Sequence, residues 1–184
     1  MKKLVLFGDS LFGRFGKDRI NNLEAKLKIY DVYNCAAGGW NSIDCVKKAE
    51  YIARLKPDVL VLSLGTNDSA PWKQVPINIF KTNLPKIFKA FPKSKIIYFL
   101  PPPVDENKTE GEHKSLTNAV VKQYHAVINE ACKQNNVIVL DSWTMFMPLL
   151  EAGLDYHDED GIHLNDIAYE TISSKLADIL IPTV

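Results

Sequence analysis

Five short apolar runs alternate with amphipathic helical stretches, and this alternation constrains the chain more than any other feature. The runs are Lys3–Gly8, Asp31–Ala36, Asp58–Gly65, Lys95–Leu100 and Val137–Leu140. Each has the length and the β-branched or aliphatic content of a buried strand. Between them, apolar residues recur at helical spacing. Ile20, Leu23 and Leu27 mark a helix over 17–28, and Ile43, Val46, Ala49, Ile52 and Ala53 mark one over 41–55. Further helices are predicted over 75–90, 116–135 and 165–180, with Pro85 expected to kink or split the first of these. The stretch from Val104 to Ser115 is polar and reads as an exposed loop.

Strand–helix alternation of this kind needs right-handed crossovers, a parallel sheet and helices on both faces. The chain is therefore expected to form an α/β domain: a three-layer α/β/α sandwich with a five-stranded parallel sheet. The arrangement expected is flavodoxin-like, with strand order 2-1-3-4-5. At 184 residues it suits a single domain spanning 1–184. Lys+Arg and Asp+Glu both number 22, so net charge gives no reason to expect a nucleic-acid or anionic-membrane partner. No run of 18 apolar residues exists to span a membrane. Leu4–Phe7 is too short for a secretory apolar core, and Cys35, Cys45 and Cys132 form no CxxC pair. Both features suggest a cytoplasmic protein with free thiols.

In such sheets ligands lie beyond the carboxyl ends of the strands, and the unusual residues collect there. Gly8-Asp9-Ser10 follows the first strand. Asn34 to Gly39 closes the second, and Gly65-Thr66-Asn67-Asp68 the third. Asp160-Gly161-Ile162-His163 precedes the last helix. Singly, these segments are ordinary turn and cap chemistry. Together they supply every part of an acyl-transfer site. Ser10 offers a nucleophilic hydroxyl, His163 a base, and Asp160 a carboxylate to orient the imidazole. The backbone N–H groups at Ser10 and Gly39 and the Asn67 amide can donate to a developing oxyanion. Asp9 and Asp68 are expected to hold their loops by accepting backbone N–H bonds.

Other chemistries fit less well. Gly8 and Gly13 have P-loop spacing, but Arg14 and Phe15 stand where Lys and Ser/Thr would be needed. The histidines His113, His125, His157 and His163 form no metal-ligand pattern, and His157 is expected in an exposed loop. No metal or cofactor is called for. A non-enzymatic binding module on the same scaffold would not need Ser10, Asn67 and His163 together.

The four segments resemble, in order, the blocks of the SGNH (GDSL) family of esterases and lipases, over residues 8–163. The resemblance implies a hydrolase of small-molecule esters with catalytic Ser10, Asp160 and His163. It also implies an oxyanion hole of Ser10, Gly39 and Asn67. In the C-terminal half, Pro101-Pro102-Pro103-Val104, Leu140-Asp141-Ser142-Trp143-Thr144 and Asp160-Gly161-Ile162-His163-Leu164 are similar to the isoamyl-acetate-hydrolysing esterase branch. That branch implies short, often acetyl, esters. A carbohydrate O-deacetylase, a thioesterase or a lysophospholipase would use the same mechanism. Trp40-Asn41 and Leu11-Phe12 depart from the family's usual Asp-Thr and Ile-Thr. Leu11, Phe12, Trp40 and Pro102 are accordingly expected to shape the substrate pocket. No segment identifies an oligomer interface, and a homo-oligomer stays open.

Overall fold

A computed structural model describes residues 1–181 of the chain. Its strands are β1 (Lys2–Gly8), β2 (Tyr30–Asn34), β3 (Val59–Ser63), β4 (Lys95–Phe99) and β5 (Ile138–Leu140). They form one parallel sheet in the order β2-β1-β3-β4-β5. Register pairs Gly8 with Ser63 and Ser63 with Phe99, so the carboxyl ends of the three central strands finish level. That level edge carries the site.

The helices are α1 (Ser10–Gly13), α2 (Lys17–Leu27), α3 (Ser42–Ala53), α4 (Thr66–Ser69), α5 (Ile77–Ala90), α6 (Asn118–Gln134), α7 (Ser142–Glu151) and α8 (Asp166–Leu180). Successive strand residues face opposite sides of the sheet, which makes two cores. Leu4, Leu6, Val61, Ile97 and Phe99 pack with Leu23 of α2, Phe146 of α7 and Ile172 and Leu176 of α8. Val5, Phe7, Leu60, Leu62 and Tyr98 pack with α3, α5 and α6 through Cys45, Ala49, Phe80, Leu84, Tyr124 and Ile128. All five residues of β3 are buried, because the central strand is covered on both faces.

Three expectations are corrected. Helix α5 is not split at Pro85: it runs from Ile77 to Ala90, held by the buried apolar face of Phe80, Leu84, Ile87 and Phe88. Ser142–Glu151, with no helix predicted, is α7, capped by Asp141, whose carboxylate accepts from the Trp143 and Thr144 N–H groups. The 104–115 loop contains one 3-10 turn, Gly111–Ser115. Among the described residues no helix is long and apolar enough to cross a membrane. Cys35, Cys45 and Cys132 are all free.

Candidate active site

The site begins at Gly8. Its φ of +133° is a glycine conformation, and a Cβ there would lie 1.8 Å from the Ser63 carbonyl oxygen. The backbone can thus turn sharply off β1 beside β3. Asp9, fully buried, caps α1: its Oδ1 accepts from the Leu11 N–H at 3.1 Å and from the Ser63 hydroxyl at 3.1 Å. Burial pushes its carboxyl up to about 7 against the pull of these hydrogen bonds, with the nearby Asp68 charge adding to the rise. Ser10 is the first residue of α1, where a backbone N–H has no intrahelical acceptor. Asn34, at the end of β2, steadies that turn by donating to the carbonyls of Phe12 and Phe15 at 2.8 and 3.1 Å.

The other segments arrive from neighbouring strand ends. Gly39, at φ +79°, lies in the turn after β2. Its N–H makes no hydrogen bond among the described residues. Asn67 sits in α4, and its Nδ2 donates to the Trp40 carbonyl at 2.9 Å. An amide nitrogen has two protons, so this bond fixes the group and leaves one donor. The buried Asp68 accepts from the Ser42 N–H at 2.9 Å and joins α4 to the start of α3. Burial raises its carboxyl to about 6. Asp9 and Asp68 thus hold loops, as expected from sequence.

Asp160 and His163 lie in the segment between α7 and α8. Asp160 Oδ1 accepts from the N–H groups of Ile162 and His163 at 2.9 and 2.8 Å, and its Oδ2 pairs with His163 Nδ1 at 2.5 Å. Partial burial acts to raise this carboxyl, but the hydrogen bonds from His163 and Ile162 prevail and hold it at about 2. His163 Nε2 meets Ser10 Oγ at 2.9 Å. With Nδ1–H directed to the carboxylate, Nε2 is the acceptor for the serine proton. The segment is braced by the Asp105 N–H donating to the Gly161 carbonyl at 2.8 Å. Arg14 reaches Asp158 at 2.8 Å, tying the segment to the chain just past α1.

These groups open onto a cleft of about 440 Å³, within the range of small-ligand sites. Ser10, Gly39, Asn67 and His163 line it together. Ala70, Trp72, His113, Leu116 and Ile162 line it as well, with the rings of Trp72 and His113 4.9 Å apart. Arg14 and Lys73 complete the rim.

None of the four predicted pocket residues lines this cleft. Leu11 and Phe12 are completely buried in the core against α2 and α8, because α1, capped by Asp9, turns Ser10 and Gly13 outward and these two inward. The Trp40 ring packs edge-on against Phe7 and under Lys48; only its carbonyl reaches Asn67. Pro102 is buried in the turn after β4. The wall residues come instead from chain just after α4, from the 104–116 loop and, in Ile162, from the Asp160–His163 segment itself. The closeness of Trp72 and Lys73 to the Gly65–Asp68 segment, and the place of Ile162 within Asp160–His163, were the sequence signals for them. His157, expected in an exposed loop, is only 8% exposed and bonds the Pro103 carbonyl through Nε2 at 2.8 Å. Among the described residues no three His, Cys, Asp or Glu side chains cluster to hold a metal ion.

The model of the GDSL-like Lipase/Acylhydrolase family matches residues 6–171. The chain belongs to this family. It is a carboxylic ester hydrolase, and its substrates are small-molecule esters. No protein of curated function matches it by sequence. Among solved structures, a lipase/acylhydrolase from Enterococcus faecalis superposes with TM-score 0.85 at 22% identity, covering 100% of both chains. The acetyl xylan esterase AlAXEase gives TM-score 0.79 at 20% identity, covering 97% of this chain and 100% of its own. A variant of Axe2, an acetyl-xylooligosaccharide esterase from Geobacillus, gives 0.77 at 18%, covering 100% and 95%. At these identities the likeness concerns the fold.

Proposed function

We propose that the enzyme hydrolyses short-chain acyl esters by a two-step serine mechanism, with Ser10, His163 and Asp160 as its triad. The observation that carries this reading is the unbroken chain from Ser10 Oγ through His163 to Asp160 Oδ2. Ser10 Oγ attacks the ester carbonyl while His163 Nε2 takes its proton, and Asp160 stabilises the imidazolium. The developing oxyanion is held by the Ser10 and Gly39 N–H groups and the free proton of the Asn67 amide. His163 then protonates the leaving alkoxide. Water, deprotonated by the same nitrogen, attacks the acyl-enzyme, releases the acid and restores Ser10. The low carboxyl value of Asp160 keeps it ionised throughout.

The size of the cleft and the wall of Trp72, Leu116 and Ile162 favour a short acyl group. A second reading is deacetylation of a carbohydrate. It is supported by the paired Trp72 and His113 rings lining the cleft and by the two acetyl-sugar esterases among the structural neighbours. The three free cysteines support a cytoplasmic setting. Hydrolysis of p-nitrophenyl esters from acetate to palmitate, with Ser10→Ala as control, tests the reading. Turnover should peak at acetate or butyrate and vanish in the variant. A peak at long chains would reject the short-acyl assignment.

A further inference from the structure

The charge lining the cleft is one-sided, although the chain as a whole is neutral. The cations Arg14 and Lys73 face it, and no Asp or Glu does. The two permanent cations differ. The Arg14 guanidinium is met by Asp158 at 2.8 Å. The Lys73 ammonium has no carboxylate within 4 Å among the described residues, and its one hydrogen bond is to the Gly39 carbonyl at 3.3 Å. That bond sets the ammonium directly against the turn that offers the Gly39 N–H: a Cβ on Gly39 would lie 2.6 Å from Lys73 Nζ. An exposed, uncompensated ammonium at the rim of a cleft also lined by Trp72, Leu116 and Ile162 attracts an anion.

We propose that Lys73 makes this enzyme selective for esters bearing a negative charge, a carboxylate or a phosphate, within a few bonds of the scissile carbonyl. This rests on the serine-esterase reading above and adds the substrate's charge to it. Lys73 acts here through electrostatic contact with the substrate, which separates the proposal from a purely architectural role. A lysine that merely pinned the Gly39 turn would alter neutral and anionic esters alike.

The test compares matched ester pairs by acid release at constant pH. Monomethyl succinate against methyl valerate places the charge on the acyl side. O-acetylglycolate against propyl acetate places it on the alcohol side. In wild-type enzyme the anionic member of one pair should have the higher kcat/KM. Lys73→Met should lower that anionic-to-neutral ratio about tenfold, Lys73→Arg should keep it, and added salt should erode it. Because each variant is read as a ratio, a general loss of activity does not mimic the effect. The pair that responds identifies the side that carries the charge. A readout independent of turnover is protection of Ser10 from a fluorophosphonate by succinate, which should weaken in Lys73→Met. Ratios within twofold of wild type in both pairs, or equal protection in both proteins, would overturn the proposal. Absence of both turnover and Ser10 labelling would instead remove the serine-esterase reading and the selectivity with it.

Discussion

Arg14 and Asp158, 144 positions apart in the chain, meet at 2.8 Å and join the turn that follows Ser10 to the segment that carries His163. Asp158 also donates its N–H to the His163 carbonyl at 2.8 Å, so the pair acts one step from the imidazole. The two side chains are 42% and 45% exposed, so the ion pair contributes under about 1 kcal/mol to folding. Its effect should appear in alignment instead. Arg14→Gln should shift Tm by no more than about 4 °C. It should lower kcat on a neutral ester roughly threefold to tenfold, since small misplacements of reacting groups are expensive in rate. Thermal melts and steady-state kinetics on one preparation check both.

Asn67 is held by its bond to the Trp40 carbonyl and keeps one amide proton for the oxyanion. Asn67→Ala should reduce kcat on the order of 10²–10³-fold, the usual effect of losing one such donor. It should leave the fold intact, because Asn67 is only partly buried and caps no helix. Near-normal kcat in a folded variant would remove the residue from the oxyanion site.

The Asp9 and Asp68 carboxyls lie beneath the site, raised by burial to about 7 and about 6. Each has one oxygen without a hydrogen-bond partner among the described residues. Both are easier to protonate in the folded chain than in the unfolded one, where an aspartate titrates near about 4. Their stabilising contribution is complete below that value and is lost as pH rises through about 6 and 7. Asp9→Asn keeps an acceptor for the Leu11 N–H and the Ser63 hydroxyl without the charge. It should flatten the decline of stability between pH 5 and 8, with a gain on the order of 2–4 kcal/mol at the upper end. Denaturant unfolding at several pH values reads this directly.

The walls of the cleft lead to opposite expectations for two tryptophans. Trp72 faces the space beside Ser10, whereas the Trp40 ring packs on Phe7. Trp72→Ala should shift the ester chain-length profile toward longer acyl groups, and Trp40→Ala should leave the profile in place. Phe12→Ala should cost about 3–5 kcal/mol of stability, as expected for a fully buried ring, with the profile unchanged. Kinetics across an ester series, alongside melts, separates the three.

The sequence made the sheet and its order legible because β1, β3 and β4 are continuous apolar runs, which only a doubly covered parallel strand needs. The Ser10, Gly39, Asn67 and Asp160–His163 segments were legible for a related reason: each lies in the chain just past a strand or just before α8, where turns must occur. What escaped was set by tertiary packing. Helix α7 has a run of Trp143, Thr144, Met145, Phe146 and Met147 without clear amphipathic period, followed by Pro148, which argues against a helix in the sequence. Leu11 and Phe12 sit beside the nucleophile in sequence, yet the direction of a one-turn helix sends them into the core. Trp72 and His113 meet across 41 positions, a contact that no local pattern announces.

The central claim is that Ser10 forms the covalent intermediate. Treating the protein with a fluorophosphonate and locating the adduct by peptide mass spectrometry tests this most directly. One adduct on Ser10, abolished by Ser10→Ala and formed in step with loss of esterase activity, is the result predicted. An adduct on another residue, or full activity in Ser10→Ala, would contradict the account.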